Sequence, residues 1–417
     1  MPMSLARLSS CLLLTASTAA PALAAPRGSE FDATLAPVAG GLEGVSAARF
    51  VDPVAALFSN PATLTQLDGQ YAFSFGAAFV GPNLEASGGA TDLFGGPANL
   101  APLTGPFDGD SRNTFIGAPV FGALNRVNDK LVVGAGISAV SGLGGDFRNE
   151  PGLPNLISDL KVFGANASFG YELTDRISVG ATFQLGLGAL ELGLTDGSGV
   201  VNDIGFGGSV GASYDAGPVL IGAAWEAPLN INYDAVLETA PDVFSTVELD
   251  QPQEFIFGIA STDSVFENTF VAFEFRHKDY SSASTYQDIW QSNSTFSFAG
   301  EHTMGPWALR LGYTYYTQLL RDEADLGSTF GGFSFVSAPD DSGVIPITAT
   351  FLQLAQVTVA NGYWSQSISG GIGFNYNERI RFDVNGSFGF DGEEQAGPFV
   401  SDATIYHFGG GITWSFK

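Results

Sequence analysis

The sequence predicts an all-β fold, a 14-stranded antiparallel transmembrane β-barrel with an N-terminal luminal hatch that contains short helices. Three observations support this prediction. Apolar and polar residues alternate with a period of two, which indicates strands with one apolar and one polar face. Long and short connections alternate along the chain, as they do in outer-membrane barrels. The chain also begins with an export signal.

The export signal occupies residues 1–24. Arg7 precedes an apolar stretch that begins near Cys11, and Ala22-Leu23-Ala24 forms an A-x-A cleavage pattern. The stretch is too short for a membrane-spanning helix. Cys11 is the only cysteine, so we expect a mature chain with no disulfide and no thiolate site.

Composition and charge exclude several classes of function. The net charge is −27, from 16 basic and 43 acidic residues, which argues against a nucleic-acid partner. No segment after the signal approaches the roughly eighteen apolar residues of a helical span. The histidines, His277, His302 and His407, lack metal-ligand spacing, so we expect no metal, no cofactor and no enzymatic activity. A Ser–His hydrolase at the barrel rim is the remaining enzymatic alternative.

The alternating segments define the predicted strands. In the last segment, Tyr406, Phe408 and Ile412 belong to a series at every second position that ends with Trp414 and Phe416. A soluble β-sandwich alternates in the same way. The membrane interpretation is favoured because the segments are about ten residues long and carry aromatic residues at their ends. The predicted strands span 70–80, 112–124, 130–141, 159–172, 176–190, 203–215, 218–233, 253–262, 268–279, 293–304, 306–318, 365–376, 379–390 and 404–416.

The connections assign the two ends of the barrel. Short connections contain turn residues, as in Asn125 to Asp129 and in Asp215-Ala216-Gly217. Short periplasmic turns and long external loops are typical of outer-membrane barrels, so both ends of the barrel chain should face the periplasm. The long connections span 81–111, 142–158, 191–202, 234–252, 280–292, 319–364 and 391–403.

Residues 25–69 precede the barrel, which is assigned to residues 70–417, and they do not alternate. Asp52-Pro53 and Asn60-Pro61 each combine an N-cap residue with proline at the first helical position, so each predicts a short helix. An apolar segment attached to the periplasmic end of a barrel can bury itself in the lumen. We therefore expect residues 25–69 to form a hatch that plugs the barrel.

Three segments carry a resemblance to a known family. The segment from Val51 to Ala62, with Asn60-Pro61-Ala62, resembles the hatch of the FadL/TodX (OMPP1) family of outer-membrane channels. The segments 125–134 and 173–180 resemble the turn-and-strand pattern of that family. One departure is that Lys417 follows the terminal aromatic residue.

The resemblance implies passive uptake of hydrophobic molecules, either long-chain fatty acids or hydrocarbons, across a bacterial outer membrane. Such molecules would bind between hatch and barrel wall and leave laterally or into the periplasm. The implied partners are these molecules, outer-membrane lipid and lipopolysaccharide, and the implied state is a monomer. The alternative is a barrel of the same fold that binds protein partners in secretion, as scaffold or shuttle barrels of the PorV type do.

Apolar hatch residues are candidates for contact with the transported molecule, and ordinary packing explains them equally well. These candidates are Phe50, Leu57, Phe58, Leu64 and Leu67. Asn60, Pro61 and Ala62 could shape a gate, or could only cap a helix at about 1 kcal/mol.

The predicted strands contain two further sets of candidate residues. Pro119, Gly134 and Gly136 are candidates for a lateral opening, because proline removes a ladder donor; a simple bulge is the alternative. A second set of charged residues should face the lumen and form ion pairs, with an arginine–carboxylate contact to a fatty acid as the alternative. This set is Glu274, Arg276, Arg310, Arg381 and Asp383. The acidic run 322–325 should be a solvated external loop, with calcium binding as a minor alternative.

Overall fold

The structure is a computed structural model that describes residues 30–88, 107–112, 116–148, 150–151, 156–193, 199–240, 243–283, 286–320, 364–390, 392–396 and 399–416. The predicted signal peptide, the acidic run 322–325 and Lys417 lie outside the described residues.

The helical elements are short and most of them precede the first strand. Helix α1 spans Pro53–Phe58 and α2 spans Tyr286–Ile289. Segments of 3-10 helix span Ala39–Leu42, Pro61–Gln66 and Tyr280–Ser282. Within the described ranges, no helix has the length and hydropathy needed to cross a membrane.

Eighteen strands are described, and they are numbered in chain order. They are β1 (Tyr71–Gly88), β2 (Phe107–Asp110), β3 (Ile116–Arg126), β4 (Leu131–Asp146), β5 (Ile157–Thr174), β6 (Ile177–Gly193), β7 (Val201–Asp215), β8 (Val219–Glu226), β9 (Asn232–Ala240), β10 (Val243–Glu248), β11 (Gln253–Ser261), β12 (Thr269–Asp279), β13 (Asn293–Met304), β14 (Trp307–Tyr316), β15 (Gln366–Asn375), β16 (Ile380–Phe390), β17 (Glu394–Ala396) and β18 (Phe399–Phe416).

Fourteen of these strands form a closed antiparallel barrel, so the predicted fold class is confirmed. Each barrel strand pairs with its neighbour along the chain, and the last strand, β18, closes the ring by pairing with β1. That closing pair runs without interruption from Tyr71 opposite Phe416 to Gly88 opposite Phe399. Closure pairs each barrel strand with a neighbour on both sides over at least part of its length, as a β-structure that spans lipid requires. The short strands β2, β17, β9 and β10 are additions to the ring.

Several predicted boundaries are corrected at the end of the barrel opposite the short turns. The strand predicted over 218–233 ends at Glu226, because Pro228 cannot donate to a ladder. The chain then forms the β9–β10 hairpin, which begins at Asn232 and lies mostly inside the predicted loop 234–252. Strands β1 and β18 extend to Gly88 and Phe399, so parts of the predicted loops 81–111 and 391–403 are strand.

The predicted alternation of faces is present in the strands. Phe382 is 42% exposed on the outer surface, whereas its neighbour Asp383 is 2% exposed and faces the lumen. Outward aromatic residues at the short-turn end include Tyr71, Trp307 and Trp414. This is the arrangement expected for a barrel with a lipid-facing surface and interfacial aromatic residues.

Residues 30–69, called the hatch segment below, fill the lumen. Their side chains are buried almost throughout, and they contact strands around the ring. Glycines on the inner wall allow this close approach. A Cβ atom at Gly136, Gly222 or Gly411 would come within 3.0 Å of Leu57, Ala47 or Pro37, respectively. The hatch segment is therefore fitted against β4, β8 and β18 without intervening side chains.

Candidate functional site

Asp52 holds three parts of the hatch segment together. Its carboxylate accepts hydrogen bonds from the backbone N–H groups of Ala55 (2.8 Å), Val38 (3.0 Å) and Ala39 (3.1 Å). The first bond caps α1, so the helix start predicted at Asp52-Pro53 is confirmed. Burial raises the pKa of the Asp52 carboxyl above its usual value, although these N–H groups favour the charged form.

Asn60 caps the second helical segment and also connects it to the barrel. Its Oδ1 accepts from the N–H of Ala62 at 3.0 Å, so the helix start predicted at Asn60-Pro61 is confirmed as a 3-10 helix. Its Nδ2 donates to Ala47 O at 2.7 Å and to Ala212 O of β7 at 3.0 Å. The Asn60-Pro61-Ala62 motif therefore fixes the position of the hatch segment as well as its local conformation.

Most of the predicted apolar ligand residues are packed into one cluster. Leu57, Phe58, Leu64 and Leu67 are at most 8% exposed, and they pack with residues of β1, β3 and β4. Phe50 is different because it lines a cavity of about 300 Å³ at the short-turn end of the barrel. Phe58 also borders a cavity, but one of only about 30 Å³. Contact with a transported molecule stays a prediction for all five residues.

The structure brings together two of the predicted luminal arginines. Arg310 bonds Glu301 at 2.6 Å and Asp383 at 2.8 Å. Arg381 bonds the same two carboxylates, at 3.1 Å and 2.9 Å, respectively. Two cations and two anions thus form a compact ring on β13, β14 and β16, in which the charges balance.

The other two predicted luminal charges form a second cluster on β11 and β12. Arg276 bonds Glu254 at 2.8 Å and Glu274 at 3.1 Å. Glu274 Oε2 also accepts the backbone N–H groups of Ser46 and Ala47, both at 2.9 Å. Glu274 therefore connects the barrel wall to the hatch segment, which is a contact that the sequence did not indicate.

Sequence reasoning missed a buried lysine that belongs to this cluster. Lys278 is fully buried and bonds Glu30 at 3.1 Å and Asp32 at 3.0 Å, and the Tyr280 hydroxyl donates to Glu30 at 2.6 Å. Lys278 follows Glu274 and Arg276 at every second position, so the alternation contained the signal for it. Nothing local in the sequence marks Glu30 as its partner.

Arg126 was also missed as a functional candidate. It lies at the end of β3, and its guanidinium donates to the carbonyl oxygens of Thr65 and Leu67, both at 2.7 Å. These hydrogen bonds connect the end of the hatch segment to the turn between β3 and β4. The sequence had drawn attention to this residue only through the resemblance of its turn.

The barrel wall is incompletely paired between β3 and β4. Their pairing covers six residue pairs, from Arg126 opposite Val132 to Phe121 opposite Ile137. Beyond this point, the described residues of β3 pair only with β1, and β4 continues to Asp146 paired with β5. A β-bulge in β4 between Ala139 and Ser141 marks the same region. We call this unpaired stretch the wall gap.

The start of the hatch segment covers the wall gap from the lumen. Glu30 forms a β-bridge with Ser141, and the N–H of Phe31 donates to Val140 O at 2.9 Å. The ring of Phe31 lies against Gly142. Because Glu30 also bonds Lys278 on β12, this segment extends across the lumen from the wall gap to the far wall.

The structure separates the three residues predicted for a lateral opening. Pro119 lies in the part of β3 that borders the wall gap, where its missing N–H removes a possible ladder bond. Gly134 and Gly136 lie in the paired part of β4, beneath Leu57 of the hatch segment. Pro119 is thus next to the gap, whereas the two glycines accommodate the hatch.

A closed barrel with an outward aromatic surface and a filled, charge-lined lumen is the architecture of an outer-membrane β-barrel protein. Residues 40–216 match the family described as outer membrane protein transport protein (OMPP1/FadL/TodX). This match confirms the FadL/TodX family predicted from the sequence, and the protein is assigned to the bacterial outer membrane.

Solved structures share the fold at low sequence identity. The Pseudomonas putida toluene transporter TodX is 15% identical and has a TM-score of 0.65, with 93% of this chain and 99% of that chain covered. A Pseudomonas aeruginosa FadL homologue is 13% identical with a TM-score of 0.65, covering 94% and 100% of the two chains. The Ralstonia pickettii toluene transporter TbuX is 16% identical with a TM-score of 0.61, covering 93% and 99%. No curated protein sequence matched the chain.

Proposed function

We propose that this protein takes up hydrophobic molecules passively and releases them into the bilayer through the wall gap. The observation that carries the proposal is the unpaired stretch between β3 and β4, covered by Glu30 and Phe31. Unpaired backbone groups at membrane depth are costly and persist only where protein or a water-filled cavity satisfies them. Glu30 and Phe31 supply backbone contacts to β4 from the lumen. Movement of these two residues would therefore uncover the wall gap.

The ion pairs of Lys278 hold this covering segment in place. They connect it to β12, so movement of Glu30 and Phe31 away from the wall gap requires these contacts to loosen. A molecule that lodges between hatch and wall could displace the segment in exchange for the apolar area it buries. The segment would then act as a gate without any cofactor or energy source.

The proposed exit route indicates which class of molecule is transported. An opening into the hydrocarbon of a bilayer favours molecules that prefer apolar surroundings, such as long-chain fatty acids or hydrocarbons. Two of the similar structures are toluene transporters and another is a FadL homologue, which is consistent with either class. The alternative role, a scaffold or shuttle for secreted proteins, has no supporting observation among the described residues.

A reversible cross-link tests the gate. Residues opposite each other in an antiparallel bridge have Cα atoms about 5 Å apart, which suits a disulfide. We expect the double variant Glu30→Cys/Ser141→Cys, when oxidised, to lose uptake of radiolabelled oleate and of toluene in cells without another such channel. Reduction should restore uptake in the same cells.

The matched control is Ser297→Cys/Thr314→Cys, a facing luminal pair on β13 and β14 whose hydroxyls already lie 2.7 Å apart. Oxidation of this pair should leave uptake unchanged. Equal uptake by the oxidised and reduced gate variant would refute lateral release. If the unmodified protein takes up neither compound, the uptake function is refuted and the scaffold role is the remaining alternative.

A further inference from the structure

A cavity of about 300 Å³ lies between the hatch segment and the short-turn end of the barrel. Residues 49–53 of the hatch segment border it on one side. Strands β1, β12, β13, β15, β16 and β18, together with the turn between β15 and β16, supply the rest of the wall. At about 30 Å³ per water molecule, this space corresponds to roughly ten waters or one small organic molecule.

The lining includes both apolar and basic side chains. Phe50, Val51 and Phe270 provide a surface for an alkyl chain or an aromatic ring. Arg49 and Arg379 also line the cavity, and each carries a guanidinium group. The Arg49 guanidinium carbon lies 4.8 Å from the centre of the Phe270 ring, so the cationic and apolar parts of the cavity adjoin.

The acidic residues of the lining are largely engaged elsewhere. The Asp52 carboxylate accepts three backbone N–H groups, and Glu301 is held by Arg310 and Arg381. Glu378 is exposed on the turn. The Asp52 and Glu301 carboxylates therefore already have donors other than Arg49 and Arg379.

The two arginines retain hydrogen-bonding capacity. Among the described residues, the polar contacts of Arg49 are long, at 3.4 Å to Ser261 O and 3.6 Å to the exposed carboxylate of Asp263. The Arg379 side chain is exposed and has no ion pair with any described residue. Each guanidinium has five donors in a fork that matches a carboxylate.

We infer that this cavity is a binding site for a small anionic amphiphile, a carboxylate with an apolar body of about eight carbons. The carboxylate would lie between Arg49 and Arg379, and the apolar body would pack on Phe50, Val51 and Phe270. The inference rests on the proposed function for the source of such a molecule. It adds a second site, at the end of the lumen away from the wall gap, that discriminates acids from neutral hydrocarbons.

Photolabelling of the full-length protein in lipid nanodiscs tests this site. The probe is octanoate with a diazirine on its alkyl chain, and peptide mass spectrometry locates the label. We expect saturable labelling within residues 49–53 and 375–381. Unlabelled octanoate should protect these peptides at concentrations at least roughly tenfold lower than 1-octanol does, because charge-assisted hydrogen bonds are lost in the alcohol.

Single variants identify the groups that bind the carboxylate. Arg379→Gln and Arg49→Gln should each raise the octanoate concentration needed for half-protection by roughly tenfold. The matched control is Arg176→Gln, which removes an exposed arginine from a different short turn outside the cavity. Ser415→Phe should abolish the labelling, because Ser415 lines the cavity from the end of β18 and a phenyl ring would occupy it.

Labelling outside the lining, equal protection by octanol, or equal effects of Arg176→Gln and Arg379→Gln would each overturn the inference. The gate experiment is independent of this one. Normal uptake together with absent labelling would refute only the cavity site. If labelling is specific but uptake is the same for the oxidised and the reduced gate variant, only lateral release is refuted.

Discussion

Individual charged residues in this barrel connect parts of the chain that lie far apart in sequence. Glu274 connects β12 to the hatch segment, and Lys278 connects β12 to the residues that cover the wall gap. Such groups are buried, so each is stable only together with its partners. Removal of one partner leaves the others uncompensated.

Asp383 offers the sharpest test of this dependence. Asp383→Ala leaves the fully buried Arg310 side chain with Glu301 as its one carboxylate partner among the described residues, and it also deprives Arg381 of a partner. We expect a loss of about 3–5 kcal/mol in the free energy of unfolding, measured by urea titration in lipid vesicles. Asp402→Ala, which removes an exposed carboxylate near the start of β18, should stay within about 0.5 kcal/mol. Similar losses for the two variants would contradict the buried ion-pair ring.

Among the elements, α1 and β4 pack closely against each other. Leu57 of α1 packs on Gly134 and Gly136, so the strand accepts the helix only where side chains are missing. A few residues further on, the same strand is bulged and no longer pairs with β3, although it remains paired with β5. The hatch contact and the wall gap thus occupy adjacent halves of β4. The first half is packed against α1, and the start of the hatch segment covers the second half.

Gly136→Ala should disturb this packing. The new methyl group would lie 2.5 Å from the backbone oxygen of Phe121 and 2.8 Å from Leu57, so the hatch or the strand must shift at a cost of about 1–3 kcal/mol. We expect raised ion conductance in planar bilayers as the hatch loosens. Gly117→Ala on β3 is the matched control, because its methyl group would meet only the Phe79 ring, at 3.6 Å. Equal conductance of the two variants would mean that this contact does not hold the hatch.

At the scale of the whole molecule, the barrel and the hatch segment together determine whether the lumen is open. The hatch segment contacts strands around the ring, and the β9–β10 hairpin covers part of the opposite end. A barrel of this size without a plug would have a water-filled lumen. We therefore expect the residues that fill the barrel to prevent ion conduction.

Deletion of residues 25–69 should convert the protein into an open pore. We expect stable ion conductance in planar bilayers from the shortened barrel and little from the intact protein. The heat-modifiable migration of folded barrels on gels checks that the shortened chain still folds. A folded, shortened barrel with the conductance of the intact protein would show that another segment closes the lumen.

The sequence by itself determined the repeating parts of the structure. Alternation of faces, as at Phe382 and Asp383, fixed the strand class and the orientation of side chains, because a strand has a period of two whatever surrounds it. Asp52-Pro53 and Asn60-Pro61 predicted both helix starts, because capping involves only neighbouring residues. Boundaries were least accurate where the chain leaves the barrel, as after Glu226, since tertiary contacts decide how far a strand continues.

Only the tertiary structure decided which residues fill the lumen and where the barrel wall is incompletely paired. The contact of Glu30 with Lys278 joins residues 248 positions apart, and no local pattern relates them. The wall gap depends on which residues of β3 and β4 face each other, and that register is a property of the closed ring. The cavity near Phe50 is likewise assembled from six strands, the turn between β15 and β16, and the hatch segment. Periodicity and capping are local and can be read along the chain, whereas a pathway through a barrel is built from side chains that meet only after the ring has closed.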